Sequence, residues 1–198
     1  MNATKCKMTL EDIKQELLEV ARIGQVFIEG DLCRNAWRPY AVNFMKGDDM
    51  DYDPEATVPL KKTLLRLEML GRVPCGTTLW RRRPDRPECG EALLFGRMVA
   101  SPDGGDKPAN RGYQPPLMSK ELQQVFLKGK AAWKFNAKTN AIRINVARGV
   151  CVAANDVKAN TTVQLLVPIK DSMGEIAAAL EIHTVALADT QGKGCCCK

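Results

Sequence analysis

Val163-Gln-Leu-Leu-Val-Pro-Ile-Lys-Asp-Ser-Met-Gly-Glu-Ile-Ala-Ala-Ala-Leu-Glu-Ile-His183 contains two aliphatic runs, Val163–Ile169 and Ile176–Val185, separated by a polar break. Each run is far shorter than the roughly 20 apolar residues needed to cross a bilayer as a helix. Each is bounded by turn residues, as strands are. Asp171 and Gly174 are residue types that tolerate unusual backbone angles, so the segment reads as a long antiparallel hairpin. Further strands are expected over Ala132–Phe135 and Ala141–Val146, with Thr161–Ile169 and Glu175–Val185 as the hairpin arms.

Working back toward the start of the chain, the pattern changes from strand to helix. Leu10, Ile13, Leu17, Val20 and Ala21 recur at helical spacing behind Thr9-Leu10-Glu11-Asp12, which reads as an N-cap with acidic first-turn residues. This run continues toward Phe27 and Ile28, with Gly24 and Gly30 as weak points. Trp37 to Pro59 carries Pro39, Pro54, Pro59 and the acidic residues Asp48, Asp49, Asp51 and Asp53, and is expected to be mostly loop. Leu60, Leu64, Leu67 and Leu70 predict a second helix ending near Gly71. Thr77–Arg81 and Ala92–Phe95 predict a hairpin, Ser101–Pro116 a long loop, and Ser119–Leu127 a short helix behind a serine cap. Helices early and strands late predict an α+β fold with an antiparallel sheet, flanking helices and an N-terminal helical extension. The divisions expected are 1–72 helical, 73–187 sheet, and 188–198 a flexible cysteine-rich tail.

The chemistry-bearing residues exclude several classes. Among 198 residues, 29 are basic and 23 acidic, a net charge of +6 that names no partner. Arg81, Arg82, Arg83 and Arg86 read as a solvated hairpin loop, and with aromatic residues at 6% a single-stranded nucleic-acid platform is not expected. Eight cysteines include no C-x-x-C pair, and His183 is the only histidine, so neither a structural metal site nor a cofactor is expected. Cys75 and Cys89 flank the arginine segment and could face each other across a hairpin; thiols are the default in a reducing cytoplasm. The N-terminus has no apolar signal region, which is the ground for a cytoplasmic expectation. His183 is expected at a surface or edge-strand position without a partner.

The Val163–His183 segment resembles the final hairpin of GAF domains, in which a strand ends in a Val-Pro-Ile-type tripeptide, turns at a glycine and returns as an aliphatic strand. Ile142-Arg-Ile-Asn-Val-Ala-Arg-Gly-Val-Cys151, followed by Asn155-Asp156-Val157, is similar to one GAF subgroup, the free methionine-(R)-sulfoxide reductases. Together these cover about a quarter of the chain. The resemblance implies a GAF/PAS-like sheet and a ligand pocket roofed by Asp156–Thr162, with Ile142, Ile144, Leu166, Pro168 and Leu180 as walls. It also implies a thiol chemistry in which Cys151 is the resolving-type cysteine. The loop that would carry the attacking cysteine is Val157-Lys-Ala-Asn-Thr-Thr162 and has none. The expected function is therefore a non-enzymatic sensing or regulatory module for an unknown small molecule, signalling through a protein partner or a homodimer paired by the Leu10–Val20 helix. A thiol-dependent reductase is the enzymatic alternative, with Cys75 or Cys89 brought to Cys151. Arg143 and Arg148 flank the pocket strand as candidate anion contacts. Cys195, Cys196 and Cys197 make the tail a lipidation candidate, hence a possible membrane tether or an adaptor with a vestigial pocket.

Overall fold

In a computed structural model, residues 8–36, 53–83, 86–96, 117–136, 150–151 and 161–187 are described. They form α1 (Leu10–Phe27), α2 (Gly30–Asn35), α3 (Pro54–Leu70), β1 (Gly76–Arg82), β2 (Gly90–Phe95), α4 (Lys120–Lys128), β3 (Ala132–Asn136), β4 (Val150–Cys151), β5 (Thr161–Lys170) and β6 (Ile176–Leu187). The β5–β6 hairpin is the centre of the sheet. Its turn closes through Gly174 N–H to Asp171 O at 3.0 Å and Asp171 N–H to Glu175 O at 2.9 Å. Gly174 takes φ +83°, a left-handed conformation in which a side chain would be strained. The strands lie in the order β2-β1-β6-β5-β3, all neighbours antiparallel, with the two-residue β4 running parallel to the end of β6. The fold is thus α+β, an open antiparallel sheet with several helices.

The first helix begins as its sequence dictates. Thr9 Oγ1 accepts from Asp12 N–H at 3.0 Å while Asp12 Oδ2 accepts from Thr9 N–H at 2.8 Å, a reciprocal box that occupies donors the helix leaves unpaired. The expected loop up to Pro59 is overturned at its end: α3 already starts at Pro54, capped by Asp53, whose carboxylate accepts from Glu55 N–H at 2.9 Å. Pro54 occupies a first-turn position where its missing N–H costs nothing. Pro59 lies inside the helix and removes one backbone bond, which the burial of Leu60, Leu64 and Leu67 offsets. The short α2 is also absent from the sequence reading. Gly30 there is a close-approach residue, since a Cβ would stand 2.3 Å from Lys170 O. Asp31 then accepts from Ser172 N–H and Oγ–H at 3.2 Å, and Arg34 Nε–H donates to Asp171 at 2.5 Å, fixing α2 to the hairpin turn.

Two apolar clusters sit on opposite faces of the sheet. On one, Ile13, Leu17 and Val20 of α1 and Leu60, Leu64 and Leu67 of α3 pack on Leu79, Val163, Leu165, Val167, Leu180 and Ile182. On the other, Met118 together with Leu122 and Val125 of α4 covers Trp80, Ala132, Leu166 and Ala179. The apolar stripe of α1 is therefore packed within the chain. Among the described residues, no helix is long and apolar enough to cross a membrane.

Candidate functional site

Alternation along β5 and β6 puts every second side chain on the α4 side of the sheet. In β5 these are Gln164 and Leu166; in β6 they are Ala179, Glu181 and His183. Antiparallel register sets His183 between Gly76 and Gln164, and Gln164 opposite Lys134, so one row runs Gly76, His183, Gln164, Lys134 across four strands. The adjacent row runs Thr78, Glu181, Leu166, Ala132. Gln164, Glu181 and His183 are 2%, 4% and 6% exposed, in strands otherwise filled with aliphatic and small residues.

The buried carboxylate organises the group. Glu181 Oε2 accepts from the Trp80 indole N–H at 2.7 Å, and Oε1 accepts from Gln164 Nε2–H at 3.0 Å. His183 Nδ1 lies 3.2 Å from Glu181 Oε1, within ion-pair reach but not aligned for a hydrogen bond. Burial pushes the Glu181 carboxyl up, and the neighbouring His183 imidazole, the Trp80 indole and the Gln164 amide together more than offset this, holding it below its ordinary value. The His183 ring is seated by Gly76, where a Cβ would stand 2.5 Å from Nε2. The Gln164 amide nitrogen is committed to Glu181, and its carbonyl Oε1 is buried with no hydrogen-bond partner among the described residues. A buried acceptor left in that state costs stability.

Several sequence expectations change. Leu166 and Leu180 do not line one pocket: Leu180 lies in the α1/α3 cluster and Leu166 in the α4 cluster, on opposite faces. Thr161 and Thr162 open β5 instead of roofing a pocket. Ile142, Ile144, Asp156, Arg143, Arg148, Cys195, Cys196 and Cys197 lie outside the described residues. His183 is neither exposed nor at an edge, being buried in the strand between β1 and β5. Cys75 and Cys89 do not face each other: Cys75 precedes the start of β1, while Cys89 O accepts from Arg83 N–H beyond its end. From Cys75 to Arg83, beside Cys89, is eight strand steps of about 3.3 Å, well beyond disulfide reach.

The same register bears on the reductase alternative. Cys151 in β4 stands opposite Leu187, whereas Gly76, next to Cys75, stands opposite His183, so Cys75 and Cys151 share one end of the sheet while Cys89 lies at the other. Cys33 is buried in the core, and burial pushes its thiol up to about 12, which leaves it little thiolate for nucleophilic work. The arginine segment is tied down as well. Arg81 is paired with Glu91, Arg83 reaches the same carboxylate at 3.5 Å, and Arg82 Nε–H donates to Pro87 O at 2.8 Å.

No family model, curated protein or solved structure matches the chain. The site residues therefore stand on geometry. Gln164, Glu181 and Trp80 escaped the sequence reading, though one signal was there: Gln164 in β5 and Glu181 and His183 in β6 interrupt aliphatic runs at strand alternation.

Proposed function

We propose that this chain is a GAF-like, small-molecule-binding regulatory module whose ligand sits on the α4 side of the sheet, against Gln164, Glu181 and His183. The observation that carries this reading is the unpartnered, buried carbonyl of Gln164 beside a carboxylate that fixes its orientation. A core position needs no polar group there, and an aliphatic side chain would avoid the desolvation cost. The motif resemblance of the β5–β6 hairpin supports the GAF-like reading of the sheet. The row Gly76, His183, Gln164 and Lys134 holds no cysteine, serine or threonine, and binding with its conformational consequences is the function proposed.

The test is a thermal-shift screen of the full chain against cyclic nucleotides, amino acids, methionine sulfoxide and small organic acids. A ligand that binds only the native state raises stability by about 2.7 kcal/mol at one hundred times its dissociation constant. The expected result is at least one saturable shift that Gln164→Leu abolishes. Absence of any shift at millimolar concentrations overturns the reading, as does a shift that Gln164→Leu leaves intact.

A further inference from the structure

We propose that α3 pairs with α3 of a second copy of this chain, antiparallel, through the side of the helix that faces away from the sheet. This goes beyond the binding reading above and does not depend on it. Leu60, Leu64 and Leu67 take the inner side of α3 and are at most 1% exposed. On the outer side stand Val58, Leu65 and Met69, at 48%, 36% and 76% exposure, in line with the exposed Glu55 and Lys62. Positions 55, 58, 62, 65 and 69 follow one another at steps of three, four, three and four residues. That is the spacing at which one helix meets another along a single seam. Single exposed apolar side chains are ordinary on a protein surface, whereas three along one seam form a contact surface.

The order of residues along the seam identifies the partner. Setting Val58 against Met69 of the partner subunit sets Lys62 against its Leu65 and Glu55 against its Arg72, and a two-fold axis repeats every pair. Arg72 lies just past the end of α3, 3.6 Å from Glu16, with its side chain 87% exposed and able to reach. The stripe is therefore complementary to itself when reversed. A parallel pair would set Glu55 against Glu55 and Lys62 against Lys62, and would align the helix dipoles instead of opposing them. Lys62 covers the partner's Leu65 with its stem while its ammonium stays in water. A lysine inside such a seam fixes the register at a cost in affinity. The 17 residues of α3 span about 26 Å, so the interface belongs to the small, reversible class.

The experiment is sedimentation equilibrium of the full chain under reducing conditions, from micromolar to submillimolar concentration. A monomer–dimer equilibrium is expected. Leu65→Glu and Val58→Glu should each weaken it by about tenfold or more, because each places an unpaired charge in the seam. Adding Met69→Lys to Val58→Glu should regain affinity, since the antiparallel register sets those two positions against each other. Lys62→Leu should tighten the dimer by about tenfold or more. All four positions are exposed, and thermal unfolding of each variant checks that its monomer is folded. A chain that stays monomeric at submillimolar concentration overturns the proposal, as does a dimer that Leu65→Glu leaves intact. Failure of the double variant to regain what Val58→Glu alone loses overturns the antiparallel register.

Discussion

The two faces of the β5–β6 hairpin come from the same two strands and have opposite chemistry. Toward α1 and α3, Val163, Leu165, Val167, Leu180 and Ile182 interlock with helix side chains, and each is at most 4% exposed. Toward α4, the alternate positions hold Leu166 and Ala179 at one end and Gln164, Glu181 and His183 at the other. Burial is equally complete on both faces, so solvent access does not account for the difference. The first face is built for cohesion. The second combines a small apolar cluster with a buried polar group that holds an unpaired acceptor.

Substitutions can separate these roles. Leu180→Ala, on the cohesive face, should cost about 2–5 kcal/mol in urea unfolding, as deletion of a fully buried leucine side chain does, and a loss below that range would break the contrast. Glu181→Gln should cost about 1–3 kcal/mol, since it weakens charge-assisted bonds from Trp80 and Gln164, while the α1/α3 core stays intact by hydrogen exchange. Gly76→Ala should cost about 1–3 kcal/mol through overpacking against His183 and shift the His183 ring resonances. Thr9→Ala should cost about 1 kcal/mol by removing the α1 cap and leave the Trp80 indole resonance where it was.

Acid offers a finer probe of the polar face. The folded Glu181 carboxyl lies below its unfolded value, so its contribution is complete above the unfolded value and disappears as pH falls through the folded one. Asp12 and Asp171 are also lowered, Asp12 chiefly by its bonds with Thr9 and Asp171 by backbone and Arg34 bonds that overcome its desolvation, and they tilt the protein's acid response in the same direction. Stability of the native chain should therefore fall on acidification below the ordinary carboxylate range, and Glu181→Gln should flatten part of that fall. A Glu181→Gln profile parallel to that of the native chain would mean that the carboxylate is not held as described.

Local signals carried much of the fold. The Thr9–Asp12 box, the Ser119 cap, the leucine spacing of α3 and the Asp171–Gly174 turn each act over a few residues, and the strands and helices they bound match the sequence reading closely. What was missed depends on distant partners. Pro59 is tolerated because α3 is anchored by its buried leucines, α2 exists because Gly30 lets it approach Lys170, and His183 is buried because β1 and β5 flank it. The site was hidden for the same reason. Gln164, Glu181 and Trp80 meet only after β1, β5 and β6 have paired, and no spacing along the chain announces that.

The most direct measurement is the indole ¹H–¹⁵N spectrum of the full chain during titration with the small-molecule panel. The three tryptophans give three resonances, assigned with Trp37→Phe and Trp133→Phe. A saturable displacement of the Trp80 resonance by a small molecule, lost in Gln164→Leu, is the result expected if the α4 side of the sheet is a binding site. A Trp80 resonance unmoved by every compound at millimolar concentration, in a protein whose α1/α3 core is folded, would contradict it.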